Sequence, residues 1–384
     1  MKIVYLLLLL FGITCLRIHA QTCGFDEKIA TLSEKDPDIY RRFQELFKNN
    51  DFSDYRQKIV IPIVIHILWN DENQNISDDA VMEQIKILNR DFNNQGDLTI
   101  IPKAFRPFIA TKGIRFCLPN FDPKGMPSNG IERKSTEIKI FQGATENALY
   151  STSKGGLDAW DEKRFLNIWV ANINPDLLGQ ATFPGETHVF DGVVIHYDAF
   201  GIVESMNSFG RTLVHEIGHY FGLPHIWGME EGCDFDDGIE DTPNQEKYHF
   251  FCPKHPSISC GSPDMFMNFM DYVDDECMVF FTKGQMDHMI KVIYNQRSGL
   301  LDFSCKKTVK VDDNENYLSP NPTHDLLSVH SKLIGKIQIF NSLGQLVMNK
   351  YKPVGQDTNL DISRLQSGIY FMWLDGWGSG FLVE

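Results

Sequence analysis

Positive charge is in short supply in this chain. Its 384 residues hold 36 Lys and Arg against 51 Asp and Glu, a formal net charge of −15. A protein that grips a phosphate backbone needs a basic face, so the balance argues against a nucleic-acid partner. The acidity reads as a solubilising surface, with some carboxylates available to metal ions. Long apolar runs are also missing. After the first twenty residues, no segment approaches the roughly 20 apolar residues that a spanning helix needs, so no transmembrane span is expected. Internal repeats and low-complexity tracts are absent.

The first twenty residues, "MKIVYLLLLLFGITCLRIHA", have one Lys, an apolar run and a closing Ala20. This is a secretory signal peptide, with cleavage expected before Gln21. A lipoprotein reading is weaker, because Cys15 and Cys23 both follow Thr. Removal of the leader takes Cys15 and leaves seven of eight cysteines, so disulfides cannot account for all of them.

Residues 21–57 are polar and read as a pro-segment, ahead of a catalytic domain over 58–303. "IVIPIVIHIL" (59–68) is continuous and β-branched, as in a strand buried on both faces. Ser77 caps an expected helix over 77–92. Further strands are expected at 114–118, 165–173 and 192–197, then a helix over 208–222 begun by Ser208 and ended by Gly222. A loop-rich stretch holds four cysteines, and a last helix covers about 283–301. This order is α/β or α+β. Residues 304–316 are charged and read as a linker. From 317 to 384, short alternating strands between Asn, Gly and Ser turns predict a small all-β sandwich.

The densest chemistry lies in "HEIGHYFGLPH" (215–225). His215 and His219 stand four apart on one helix face, so two imidazoles can meet one cation. Glu216 projects beside that cation and can take a proton from water. A third ligand cannot come from the next helical turn, which moves away from the metal. Gly222 lets the chain turn sharply at positive φ, and His225 then returns toward the metal. Three neutral histidines leave a fourth position open, as in a catalytic zinc centre.

"HEIGHYFGLPH", with "DTPNQ" and "NFMDYVDDECMVFFTKGQ", resembles the pappalysin family of metzincin metallopeptidases, especially its compact microbial members. The resemblance covers about residues 55–302. It implies an α+β metzincin-type domain: a twisted, mostly parallel sheet with helices, a zinc cleft and a loop-rich lower half. It makes His215, His219 and His225 the zinc ligands, Glu216 the general base, and Met270 the methionine beneath the metal. Tyr272 would stabilise the oxyanion, unless it is a core aromatic. Asp275 would lie at the base of the pocket for the residue after the scissile bond and favour Arg or Lys, unless it is a solvated loop acid. Asp237, Asp241 and Thr242 would bind Ca²⁺. Sequence allows three pairings of the four loop cysteines; the resemblance selects Cys233–Cys260 and Cys252–Cys277. Cys23 resembles a cysteine switch whose thiolate closes the zinc site in a latent proenzyme. The alternative is a disulfide from Cys23 to Cys117 or Cys305.

"SPNPT", "IQIFNSLGQLV" and "LDISRLQSGIYF" resemble the C-terminal sorting domain of type IX secretion. That machinery is therefore an expected partner, and the expected location is extracellular or at the cell surface. The rival is a retained adhesive sandwich. The whole reads as a secreted zinc endopeptidase acting on proteins or peptides. The competing class is a non-catalytic, zinc-containing adhesin, which would have no need of Glu216.

Overall fold

The computed structural model describes residues 22–25, 59–301 and 317–384, except 127, 143–146, 186–189, 204, 206–207, 332–334, 353–356 and 375–376. The expected signal peptide, nearly all of the pro-segment, the linker and Cys305 lie outside these residues. The chain divides into two units, Met1–Cys305 and Lys306–Glu384.

The first unit is built on a seven-stranded sheet. Its strands are β1 (Thr22–Cys23), β2 (Ile59–Trp69), β3 (Ile114–Cys117), β4 (Ile131–Ser135), β5 (Leu166–Ala171), β6 (Leu177–Ala181) and β7 (Gly192–His196). The order is β1-β6-β7-β5-β2-β3, with β4 also on β2. Only the β6–β7 pairing is antiparallel; the rest are parallel.

Strands β2 and β5 are mostly apolar on both faces because both faces are covered, the buried pair His66 and Asn167 excepted. Ile61, Ile63, Ile65 and Ile67 join Leu166, Ile168 and Val170 in the main core. On the other face, Leu68, Trp169 and Ala171 pack with Phe141, Leu149 and Phe190. Each such side chain taken wholly from water stabilises the fold by about 1.5–3 kcal/mol before chain entropy is counted.

Among the described residues, three helices complete the unit: α1 (Asp78–Asp91), α2 (Arg211–Tyr220) and α3 (Lys283–Gln296). Ser77 caps α1 by accepting from the Ala80 amide. Thr282 and Gln285 form a reciprocal capping box at the start of α3.

The start of α2 departs from expectation. Ser208 lies in a two-residue strand, and Gly210, at φ 74°, occupies the N-cap position with no side-chain cap. The cap comes from far along the chain: Asp275 Oδ2 accepts from the Phe209 and Arg211 amides at 2.7 and 2.9 Å. A carboxylate here also complements the positive end of the helix dipole.

The disulfides are Cys233–Cys260 and Cys252–Cys277, the pairing implied by the family resemblance. Cys117 is also disulfide-bonded. Cys23 is not disulfide-bonded, which sets aside its expected alternative.

The second unit is an antiparallel sandwich. Strands Tyr317–Ser319, Leu326–His330 and Thr358–Asp361 form one sheet. Leu346–Lys352, Gly335–Asn341, Gly368–Leu374 and Trp377–Val383 form the other. Leu327, Val329, Ile337, Ile339, Leu360 and Met372 fill the space between them.

Candidate metal centre

Helix α2 carries His215, Glu216 and His219, all buried. It ends in a Schellman motif: the Gly222 amide bonds to His219 O at 2.8 Å and the Leu223 amide to Gly218 O at 3.0 Å. Gly222 takes φ +87°, as the sharp turn requires. From α3, His288 Nε2 donates to Gly222 O at 3.0 Å. Burial lowers His288 to about 4, so this ring is neutral and braces the turn.

The turn brings His225 back to the helix. His219 Nε2 lies 3.1 Å from His215 Nε2 and 3.2 Å from His225 Nε2. Ligand nitrogens about 2.05 Å from a tetrahedral zinc lie about 3.3 Å apart, so the spacing fits that ion. His215 Nδ1 donates to Phe269 O and His219 Nδ1 to Leu223 O, both at 2.7 Å. In the neutral rings those protons leave Nε2 as a bare lone pair. Such lone pairs repel at this distance, and a shared cation removes the conflict.

The wall around the histidines is also specific. Met270 is fully buried, and a Cβ on Gly218 would lie 2.5 Å from its sulfur. Only glycine lets α2 settle over this methionine. The Ile226 amide bonds to Met270 O, joining the third histidine's segment to the methionine turn. Asn268 holds the Met270 amide at 2.9 Å and exchanges two side-chain hydrogen bonds with Gln285 of α3. The Tyr272 ring is half-buried, 4.7 Å from the His225 ring and 4.9 Å from Trp227.

Strand β6 passes the same cleft. A Cβ on Gly179 would lie 2.7 Å from Glu216 Cγ, so this strand's backbone lies against the glutamate. β1 pairs with β6, Cys23 opposite Gly179. The Gly24 amide adds a bond to Gly179 O at 3.0 Å. Cys23 Sγ and a nitrogen from each of His215, His219 and His225 all fall within 4.8 Å of one another. Phe25 stacks on His219 with ring centres 4.0 Å apart and also packs on Phe183.

The other candidate residues lie in two places. Asp275 is part-buried at the start of α2, where burial pushes its carboxyl up and the Arg211 and Phe209 amides pull it partly back. Arg211 also reaches Asp275 O and, at 3.3 Å, Asp91. Asp237 and Thr242 are buried and bonded to each other at 2.6 Å. Burial raises Asp237 to about 8, against the pull of Thr242 and of the Ile239 amide. Asp241 accepts from the Gly284 amide at 3.0 Å, at the start of α3.

Several contributors escaped the sequence reading. Phe25, Gly179 and Gly218 carry no local signal of their role. Gln285 does carry one, as the fourth residue of the Thr-x-x-Gln capping pattern.

A mostly parallel sheet with one antiparallel edge, a helix broken at glycine, three convergent histidines and a buried methionine packed against that helix define a metallopeptidase of the metzincin type. Comparison with known proteins agrees. The family model described as Pregnancy-associated plasma protein-A matches residues 151–294. Mature mirolysin of Tannerella forsythia, solved with a cleaved peptide, is 40% identical with a TM-score of 0.61, covering 67% of this chain and 98% of that one. A promirolysin mutant from the same organism is 38% identical with a TM-score of 0.68, covering 73% and 97%. An extracellular metalloprotease of Arthroderma gypseum is 28% identical over 264 residues, 66% of this chain and 78% of its own length. The chain belongs to the pappalysin family of metallopeptidases, and it is a metalloendopeptidase. The family implies zinc as its metal.

Residues 317–378 match the model described as Secretion system C-terminal sorting domain, which marks a secreted protein. Among the described residues, no helix is long and apolar enough to cross a membrane.

Proposed function

We propose that this chain is a zinc endopeptidase made as a latent precursor, preferring Arg or Lys after the scissile bond and exported by type IX machinery. The observation that carries the reading is the convergence of three imidazole nitrogens beside Glu216 and an edge strand. His215, His219 and His225 would hold the ion. When bound, zinc polarises the scissile carbonyl and makes water a better nucleophile.

The rest is work for the chain's own groups. An extended substrate pairs along β6, the edge that β1 uses here. That pairing sets its carbonyl near Glu216, which is fully buried. Glu216 takes the proton of the attacking water and hands it to the leaving amine. Tyr272, ranged beside His225, donates its hydroxyl to the developing oxyanion. Asp275 Oδ2 is held by two amides. Its second oxygen is the one offered to a substrate guanidinium or ammonium.

Latency rests on Cys23, whose sulfur shares the ligand cluster, and on Phe25, which covers His219. A thiolate is a good zinc ligand and would exclude water from the fourth position. The sandwich domain would engage the type IX machinery.

Calcium is proposed for the loop that holds Asp237, Asp241 and Thr242. Its support is two buried carboxylate oxygens with no donor, Asp237 Oδ2 and Asp241 Oδ1. Oxygens of this kind suit a hard cation.

One peptide-library digestion with mature enzyme tests the catalytic reading. Glu216→Ala is expected to keep fold and zinc while losing about 10²–10⁴ in turnover. Asp275→Ala is expected to flatten the basic preference. A folded, fully active Glu216→Ala protein refutes the mechanism, and a surviving preference refutes the pocket.

A further inference from the structure

We propose that His249 is a positioning residue for Tyr272: an imidazolium held between Asp264 and Asp271 that fixes the tyrosine's side of the cleft. The inference rests on the oxyanion role given to Tyr272 above.

Asp271 follows Met270 directly and is fully buried. Its carboxylate meets four donors. Oδ1 accepts from the His249 amide at 2.8 Å and the Tyr272 amide at 2.7 Å. Oδ2 accepts from Gln245 Nε2 at 2.7 Å and His249 Nδ1 at 3.0 Å. The same carboxylate thus holds the backbone of Tyr272 and both ends of residue 249.

The other ring nitrogen faces a second buried acid. His249 Nε2 lies 3.1 Å from Ser257 Oγ and 3.3 Å from Asp264 Oδ2. Ser257 Oγ donates to Asp264 Oδ2 at 3.0 Å. Its proton is therefore committed, and it meets the imidazole as an acceptor. Ser259 gives Asp264 its amide and hydroxyl.

Both ring nitrogens therefore face acceptors, so both carry protons. Two buried carboxylates at 0% and 1% exposure need a cation, because unpaired buried charge is costly. Burial works against the charged ring, but Asp271 and Asp264 outweigh it and hold His249 above the ordinary imidazole range. The charged groups facing the ring are these two acids; Gln245, Ser257 and Phe266 are its neutral neighbours.

The residues flanking His249 explain why the clamp bears on Tyr272. Tyr248 and Phe250 both pack toward the Tyr272 ring, with centres 5.6 and 6.5 Å away. Fixing residue 249 therefore fixes two walls of the tyrosine's socket, while Asp271 fixes its backbone. Losing the cation leaves two like charges in one buried site and loosens all three contacts.

The test compares mature variants of the full catalytic unit with zinc bound. Tyr272→Phe is expected to lower kcat by about 10²–10³, the range for one lost oxyanion donor. His249→Gln is expected to lower kcat at least about tenfold, with KM and zinc content unchanged. The Tyr272→Phe/His249→Gln double variant is expected to be no worse than Tyr272→Phe alone, because both act through one group. Asp264→Asn is expected to restore most of the activity lost in His249→Gln by removing one of the two buried charges.

If Tyr272→Phe keeps full kcat, the oxyanion reading fails. If Tyr272→Phe is impaired while His249→Gln is not, only the present inference is overturned. Losses that multiply in the double variant, or no rescue by Asp264→Asn, also overturn it. A His249→Gln protein that misfolds leaves the rescue arm decisive, since the charge-balanced double variant is expected to fold.

Discussion

Substituting Gly222 tests whether the break in α2 exists to deliver a metal ligand. At φ +87° an alanine costs about 1–2 kcal/mol relative to ordinary backbone. Reduced freedom of the unfolded chain returns about 0.4–1 kcal/mol of this. The new Cβ lies 3.0 Å from Val292 Cγ2 and 3.1 Å from His288 Nε2, both on buried positions of α3. Neither neighbour can swing away freely, so the helix shifts by tenths of an ångström or the turn opens. The net expectation is a loss of about 1–2 kcal/mol, and each kcal/mol lowers the melting temperature by about 2–4 °C in a domain of this size. An opened turn also misaims His225. Zinc affinity is then expected to fall about tenfold for each 1.4 kcal/mol of ligand strain. Calorimetry with and without zinc, joined to titration against a chromophoric chelator, reads both quantities. Gly222→Asn is the control, because asparagine tolerates this backbone region better. A Gly222→Ala protein that melts lower but binds zinc as tightly as wild type would show that the turn only ends the helix, and the ligand-delivery argument would fall.

Two further expectations concern the proposed pro-segment and the loop proposed to bind calcium. Cys23→Ala precursor should cleave a generic peptide before any processing, whereas wild-type precursor should not; equal latency of the two would remove Cys23 from the switch. Without calcium, Asp237 titrates near 8 in the fold against about 3.9 in the unfolded chain. A raised acid pKa means that the native state binds the extra proton. Its stability contribution is whole below the unfolded value and lost as pH rises through about 8. Melting in chelator should therefore drop between pH 5 and pH 8, calcium should abolish the drop, and Asp237→Asn should lose both the drop and the calcium response. A calcium-independent profile in the wild type would remove the ion from this loop.

The parts of the molecule that were legible in sequence are those where local pattern and tertiary role coincide. The strand at 59–69 is read from its β-branched run because both of its faces are buried. The histidine spacing is read because helix geometry alone sets four residues to a turn. What escapes is supplied from a distance. Ser208 looks like the cap of α2, yet the carboxylate that performs this role belongs to Asp275, 64 residues beyond Arg211. The strand Leu177–Ala181 is short, contains a glycine and lacks alternation. It nevertheless forms the edge beside Glu216, and the glycine that spoils its pattern is what gives the glutamate room. His249 is one histidine among twelve by sequence. Its charge follows from two acids that only the folded loop brings to it.

The pairing of β1 with β6 has a kinetic consequence. A strand joined to its own domain acts at an effective concentration in the millimolar range for a short tether. Once the tether is cut, the same peptide competes only at its bulk concentration, many orders lower in a dilute exterior. In the latent precursor proposed above, tight binding at the edge strand is therefore unnecessary. A weakly bound segment would suffice while attached and would depart without a second cut. Dilution after secretion would then be part of the activating event, and confinement in a crowded compartment would delay it.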